Sequence, residues 1–188
     1  RLPDADVDED VARDALERER RAEYRALAVR TAVALTVAGG QMAWMLVHMY
    51  GFAWFGWTWV HTVGHSPWTN VVLFALALPV QVWAGAPIYV GAWRVGRHGG
   101  TDMNTLIALG TSTAFIYSMV VTFAPAWLAG ASGFEMTVYY ESASAIIGLV
   151  LLGRLLEARA KGQTSDAVRA LIALRPQTAR VLEEGQEY

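Results

Sequence analysis

The stretch Tyr140–Gly162, YESASAIIGLVLLGRLLEARAKG, decides how the chain is read. It opens with a carboxylate, Glu141, and then runs from Ser142 to Gly153 without a charge. It closes with Arg154, Glu157, Arg159 and Lys161. As a helix, it sets Glu141 and Glu157 roughly 24 Å apart, at about 1.5 Å per residue. That nearly matches the roughly 30 Å hydrocarbon core of a bilayer. A membrane helix with an acid at each end suggests a path for a cation.

The surrounding composition supports a membrane protein. The chain has 188 residues, 54% of them hydrophobic, and a mean hydropathy of +0.29. Net charge is only −2, but the charges are segregated. Nine of the 17 acids precede Thr31, and no Asp, Glu, Lys or Arg falls between Thr31 and Trp93 or between Met103 and Phe134. Charge-free runs of this length are the mark of membrane spans. There is no cysteine, which removes disulfides, thiolate metal sites and a Cys nucleophile from this chain. The acidic, polar start does not read as a signal peptide. The chain opens on Arg1 and stops at Tyr188 inside what reads as a strand, so a piece of a longer protein is expected.

The predicted architecture is mainly α, a polytopic membrane protein with four transmembrane helices. They run roughly over Leu27–Tyr50, Asn70–Tyr89, Thr105–Phe123 and Met136–Leu156. Residues 1–10 read as an acidic, exposed lead-in, followed by a solvated helix laced with charges of both signs up to Arg30. After the last span, Thr164–Leu174 is an amphipathic helical segment that stops before Pro176. TARVL, the turn Glu183-Glu184-Gly185 and then QEY predict a β-hairpin.

Lys and Arg fix the expected orientation. Seven Arg lie at or before Arg30, Arg94 and Arg97 follow the second span, and Arg154, Arg159, Lys161, Arg169, Arg175 and Arg180 follow the fourth. The other two connections have none. Both termini are therefore expected on the cytoplasmic side. The outer connection Gly51–Thr69 is rich in Trp, which suits an interfacial belt. Gly85 and Pro87 predict a bend at the end of the second span. Beyond it Ile88, Tyr89, Ala92 and Trp93 are expected on one face of a short surface-lying helix, with Arg94 and Arg97 on another. Gly99 and Gly100 make a turn, Thr101 is expected to cap the third span, and Asp102 to sit in its first turn. Ser144 and Gly148 form a small-xxx-small pair, the pattern of close helix packing.

Three stretches together resemble the heavy-metal (type IB) P-type ATPases, specifically the copper(I) exporters. They are GAWRVGRHGGTDMNTLIALGTSTAFIYS (Gly91–Ser118), VYYESASAIIGLVLLGRLLEARAKGQTSDAVRALIALRPQTARVLEEG (Val138–Gly185) and, more weakly, AEYRALAVRTAVAL. The likeness covers about Ala22–Tyr188 and implies a division of the chain. Residues 1–26 are a cytoplasmic lead-in and helix. Residues 27–93 resemble the two class-specific helices, ending in an amphipathic platform at Gly85, Pro87, Trp93, Arg94 and Arg97. Residues 94–160 resemble the first two core helices, and 161–188 a linker helix and the start of the β-containing actuator domain.

The resemblance also implies roles. Met103 and Glu157 match the residues that receive metal on the cytoplasmic side, and Glu141 the glutamate on the exit side. A thioether suits soft Cu(I). The transported ion would be Cu(I), with ATP and Mg2+ used elsewhere in the parent, since the phosphorylated Asp, the ATP-binding residues and the Cys-Pro-Cys metal site have no counterpart here. Implied partners are lipid, the remainder of the ATPase, and a copper chaperone or metal-binding domain at the platform; no nucleic-acid partner is expected. The implied location is the bacterial plasma membrane. Packing remains the competing account of Met103, a salt bridge to Arg154 or Lys161 that of Glu157, and an interfacial cap that of Glu141.

Other readings stay open. The same machine could carry Zn(II), Cd(II) or Co(II). A membrane haem bundle needs paired His within spans, and only His48 is so placed. A scaffolding bundle without transport is the third. On the outer side Met45, His48 and Met49 share a face and His61 and His65 follow, where packing in the aromatic belt is the favoured account over copper or zinc binding.

Overall fold

The computed structural model describes residues 3–56, 66–128, 137–173, 182–183 and 186–187. Helix α1 runs unbroken over Pro3–Phe55. α2 (Pro67–Pro79) leads through a π-helical turn (Val80–Ala84) into α3 (Ala86–Gly96). α4 (Met103–Phe123) and the single turn α5 (Pro125–Leu128) follow, and then α6 (Tyr140–Ala173). Strands β1 (Leu182–Glu183) and β2 (Gln186–Glu187) pair antiparallel, with Leu182 opposite Glu187 and Glu183 opposite Gln186.

Two expectations about continuity change. The acidic lead-in is helical from Pro3 onward. Proline suits the first helical position, and acids in the first turns favour the positive end of the helix dipole. α6 likewise continues through Gly162 to Ala173 as one helix, without a break between the span and the segment after it.

Among the described residues, two helices are long and apolar enough to cross a membrane: Ala15–Tyr50 of α1, and α4. The count is three if the bent pair Trp68–Ala84 and Ala86–Gly96 is one span. The sequence predicts four. α6 falls outside because Glu141 and Arg154 bound its charge-free run, Ser142–Gly153. That run covers only about 18 Å at about 1.5 Å per residue.

The helices meet through small residues. On α1, Thr31, Ala34, Ala38 and Gln41 recur at helical spacing and are all buried. Ala34 packs with Ile147 and Leu151 of α6, and Gln41 is turned toward α2. At Gly148 a Cβ would stand 3.1 Å from Leu35 Cδ2 and 3.5 Å from the Ala34 carbonyl carbon. The predicted Ser144/Gly148 pair is thus the place where two backbones approach. Lipid tails are as apolar as leucine, so close van der Waals packing, and not escape from water, holds such helices together.

Ala34, Val80, Ala84, Ile88, Ile147 and Leu151 form one core among α1, the π-turn, α3 and α6. Ala77, Phe115 and Tyr140 form a second among α2, α4 and α6. Phe74 reaches into this second cluster, with ring centroids 5.6 Å from Phe115 and 5.9 Å from Tyr140. Polar contacts join the helices, while the buried Gln41 Oε1 and Arg30 Nε have no hydrogen-bond partner among the described residues. Gln41 Nε2 donates to the Leu73 carbonyl (2.9 Å), and the Tyr89 and Thr111 hydroxyls are 2.8 Å apart.

The chain bends by 53° between α2 and α3. Pro79 has no N–H to give to the preceding turn, and the helix widens after it. Gly85 N–H then donates to the Val80 carbonyl at 2.8 Å, a span of five residues. Pro87 occupies the first turn of α3, where its missing donor costs nothing. The bend expected from Gly85 and Pro87 is present, with a π-turn that the sequence did not announce.

Candidate functional site

The site builds from the turn after α3. Gly99 takes φ +73°, reversing the chain, and Gly100 N–H donates to the Val95 carbonyl at 3.3 Å. α4 is then capped by Asp102, not by Thr101. Asp102 is extended at φ −138°, and its Oδ1 accepts from the Thr105 backbone N–H (2.8 Å) and hydroxyl (2.9 Å). Asp102 N–H faces the Thr105 hydroxyl in return, at 3.4 Å, which closes a capping box. The Thr105 N–H, with the Thr105 hydroxyl and the Asn104 amide, holds the Asp102 carboxyl below its ordinary value of 3.8. A depressed carboxyl stabilises the fold while it is ionised, so this cap is complete above the ordinary value of 3.8 and is lost as pH falls below it.

Met103 is the first residue of α4 and is 64% exposed. Asn104, next to it, donates from Nδ2 to Asp102 Oδ2 (2.6 Å) and accepts from Arg154 Nη2 on α6. Glu157 lies one turn beyond Arg154. It is exposed and takes a hydrogen bond from Lys161 Nζ at 2.6 Å. That bond, with the charges of Lys161 and Arg154, keeps the Glu157 carboxyl below its ordinary 4.5. The structure therefore puts the start of α4, carrying Met103, beside the part of α6 that leads to Glu157. The link between them is Asn104–Arg154, which no sequence signal marks; two polar residues fifty positions apart leave no local pattern.

Glu141 sits at the other end of α6, in its first turn, and is only 8% exposed. The same end is latched to α4: Tyr139 N–H donates to Ser118 Oγ (2.7 Å), and the Thr122 and Tyr140 hydroxyls are 3.0 Å apart. The two acids that frame Tyr140–Gly162 thus occupy opposite ends of one helical stretch, each where α6 is tied to α4.

The platform residues divide by face. Ile88 is buried in the core and Tyr89 bonds to Thr111, so this face of α3 lies against protein. Trp93, expected on that same face, is 76% exposed and stands with Arg94 and Arg97 on the outer side. At a helical step of about 100° per residue, Trp93 falls beyond the edge of the face that Ile88 defines.

Among the described residues, no three of His, Cys, Asp and Glu are grouped to hold a metal ion. His61 and His65 lie outside the described residues. Met45 and Met49 are exposed and His48 is partly buried. A cavity of about 630 Å³ between α1 and α2, lined mostly by apolar side chains with Gln41, Trp44 and Trp68, does not include Met103, Glu157 or Glu141.

These features define a helical membrane region with ionisable residues at both ends of a central helix. Over most of its length the chain is homologous to proteins named copper-transporting or copper-exporting P-type ATPases. It is 44% identical over 176 residues, 93% of the chain, to the probable copper-transporting ATPase PacS of Synechococcus elongatus. It is 49% identical over 117 residues (62% of the chain) to the PacS protein of Synechocystis. It is 40% identical over 146 residues (78% of the chain) to the copper-exporting P-type ATPase of Bacillus subtilis. The matches take in 22%, 15% and 17% of those proteins, so the chain spans about a fifth or less of their length. No family model matches the chain.

Proposed function

We propose that this chain is a membrane segment of an ATP-driven Cu(I) exporter of the bacterial plasma membrane. The observation that carries the reading is the 44% identity over 93% of the chain to a probable copper-transporting ATPase. α1, the α2–α3 pair, α4 and α6 are the four spans, with both termini cytoplasmic. α6 serves as a span despite Arg154 because Asn104 supplies that guanidinium with an acceptor, and long basic side chains near a helix end reach toward the interface. The hairpin at Leu182–Glu187 begins the actuator domain.

In this reading Met103 and Glu157 receive the ion at the cytoplasmic mouth. A thioether and a carboxylate are weak, exchangeable ligands for a soft monovalent cation, which suits loading and not storage. Glu141 lies near the exit. The outer face of α3, with Trp93, Arg94 and Arg97 beyond the bend at Gly85 and Pro87, is the docking place for a metal-delivering chaperone or domain. ATP hydrolysis, with Mg2+, belongs to the rest of the parent protein.

The test is the ATPase activity of the full-length protein. Cu(I) is expected to stimulate it; stimulation by Zn(II) without stimulation by Cu(I) would overturn the copper assignment. For the mouth, Met103→Ala and Glu157→Gln are each expected to lower Cu(I) uptake into vesicles several-fold. Wild-type uptake in both variants would leave these residues a purely structural role.

A further inference from the structure

Asn104 stands between two opposite charges. Its Nδ2 donates to the Asp102 carboxylate at 2.6 Å, and its Oδ1 accepts from the Arg154 guanidinium. Only this orientation of the amide works. The flipped form would set its NH2 against the guanidinium and its oxygen against the carboxylate. The amide also lies over Gly91 of α3, where a Cβ would be 3.2 Å from Nδ2, so a glycine there leaves the amide its place.

Arg154 has an alternative partner. Glu157 is three residues on along the same helix, at a spacing where Arg and Glu side chains meet. In the structure the Glu157 carboxylate is bonded to Lys161, at 2.6 Å and largely exposed, while the Arg154 guanidinium is turned across to α4. Lys161 is a single flexible ammonium at the helix surface, an easily displaced counter-ion. Arg154, with its planar fork of donors, would make a firmer, two-pronged contact with the same carboxylate.

We infer that Asn104 is a positioning residue that draws Arg154 across to α4 and so keeps it from occupying the Glu157 carboxylate, leaving that carboxylate to the displaceable Lys161 ammonium and so open to a soft monovalent cation. The inference rests on the reading of Glu157 as a loading residue. It adds a reason why an amide, and not an acid, follows Met103. An Asp at position 104 would pair with Arg154 but repel Asp102; an apolar residue would release Arg154.

The experiment is Cu(I) uptake by the full-length protein in vesicles, with KM and kcat read separately for Asn104→Ala, Arg154→Gln and the double variant. Asn104→Ala is expected to raise KM for Cu(I) about two- to five-fold with kcat retained, the factor an exposed ion pair competing for one carboxylate supplies. Adding Arg154→Gln removes the competitor, so the double variant should regain the wild-type KM. A merely structural role for Asn104 gives no such rescue. An unchanged KM in Asn104→Ala, or a double variant as impaired as the single, overturns the inference. If Glu157→Gln raises KM while Asn104→Ala is silent, the loading reading stands and this inference alone falls. If Glu157→Gln is itself silent, both fall.

Discussion

Gly148→Leu is expected to drive α1 and α6 apart and to cause a large drop in the thermal stability of the detergent-solubilised protein. The Cβ alone would come within 3.1 Å of Leu35 Cδ2 and 3.5 Å of the Ala34 backbone. Leu35 can yield a few tenths of an ångström to an alanine, so Gly148→Ala should be tolerated. A leucine places three further carbons where the α1 backbone runs. Overpacking of this kind costs about 1–3 kcal/mol in a well-packed core. Here the contact also sets the spacing of the helices, because no hydrophobic drive from water compensates for a poor fit in lipid. Melting temperature, read for the alanine and leucine variants side by side, checks this. Equal stability of Gly148→Leu and wild type would show that the α1–α6 approach does not hold the bundle.

Gly85→Val is the second large effect. φ at Gly85 is −74°, so the backbone itself would accept any residue. The obstacle is space: a Cβ would lie 2.9 Å from the Gln81 carbonyl oxygen, 3.0 Å from Tyr89 Cε2 and 3.3 Å from Ile147 Cδ1. The nearest of these is backbone and cannot rotate away. The bend must therefore open or the π-turn relax, which moves α3 and with it Trp93, Arg94 and Arg97. The expected outcome is a loss of about 1–3 kcal/mol of stability. A changed protease-accessibility pattern around Arg94 and Arg97 is the local readout. A variant with native stability and native cleavage at those arginines would contradict the steric account.

How much of this was legible in the residues follows from the range over which each signal acts. The charge-free runs marked α1, α2 and α4 directly, since a span is a property of consecutive residues. α6 was harder, because its length suits a span while Arg154 interrupts the apolar run. The bend was legible in Gly85 and Pro87, but the π-turn was not, for no residue type demands it. Thr101 and Asp102 are both good caps, and what separates them is the residue three positions on. Thr105 can reciprocate to Asp102, and Asn104 is instead engaged by Arg154. Contacts such as Asn104–Arg154 and Tyr139–Ser118 join distant positions and emerge only when the helices are placed. The site residues Met103, Glu157 and Glu141 were named through family resemblance, and the variants above test their roles.

α1 runs unbroken over 53 residues, about 80 Å at about 1.5 Å per residue, against a bilayer core of roughly 30 Å. Its portion before Leu27, where the sequence predicts the span to begin, is about 36 Å long. With the α1–α6 contact at Ala34 and Gly148 as the fulcrum, about 46 Å from the tip at Pro3, a tilt of about 10° sweeps that tip through roughly 8 Å. A small rearrangement between two buried backbones is thereby magnified at the far end of the helix.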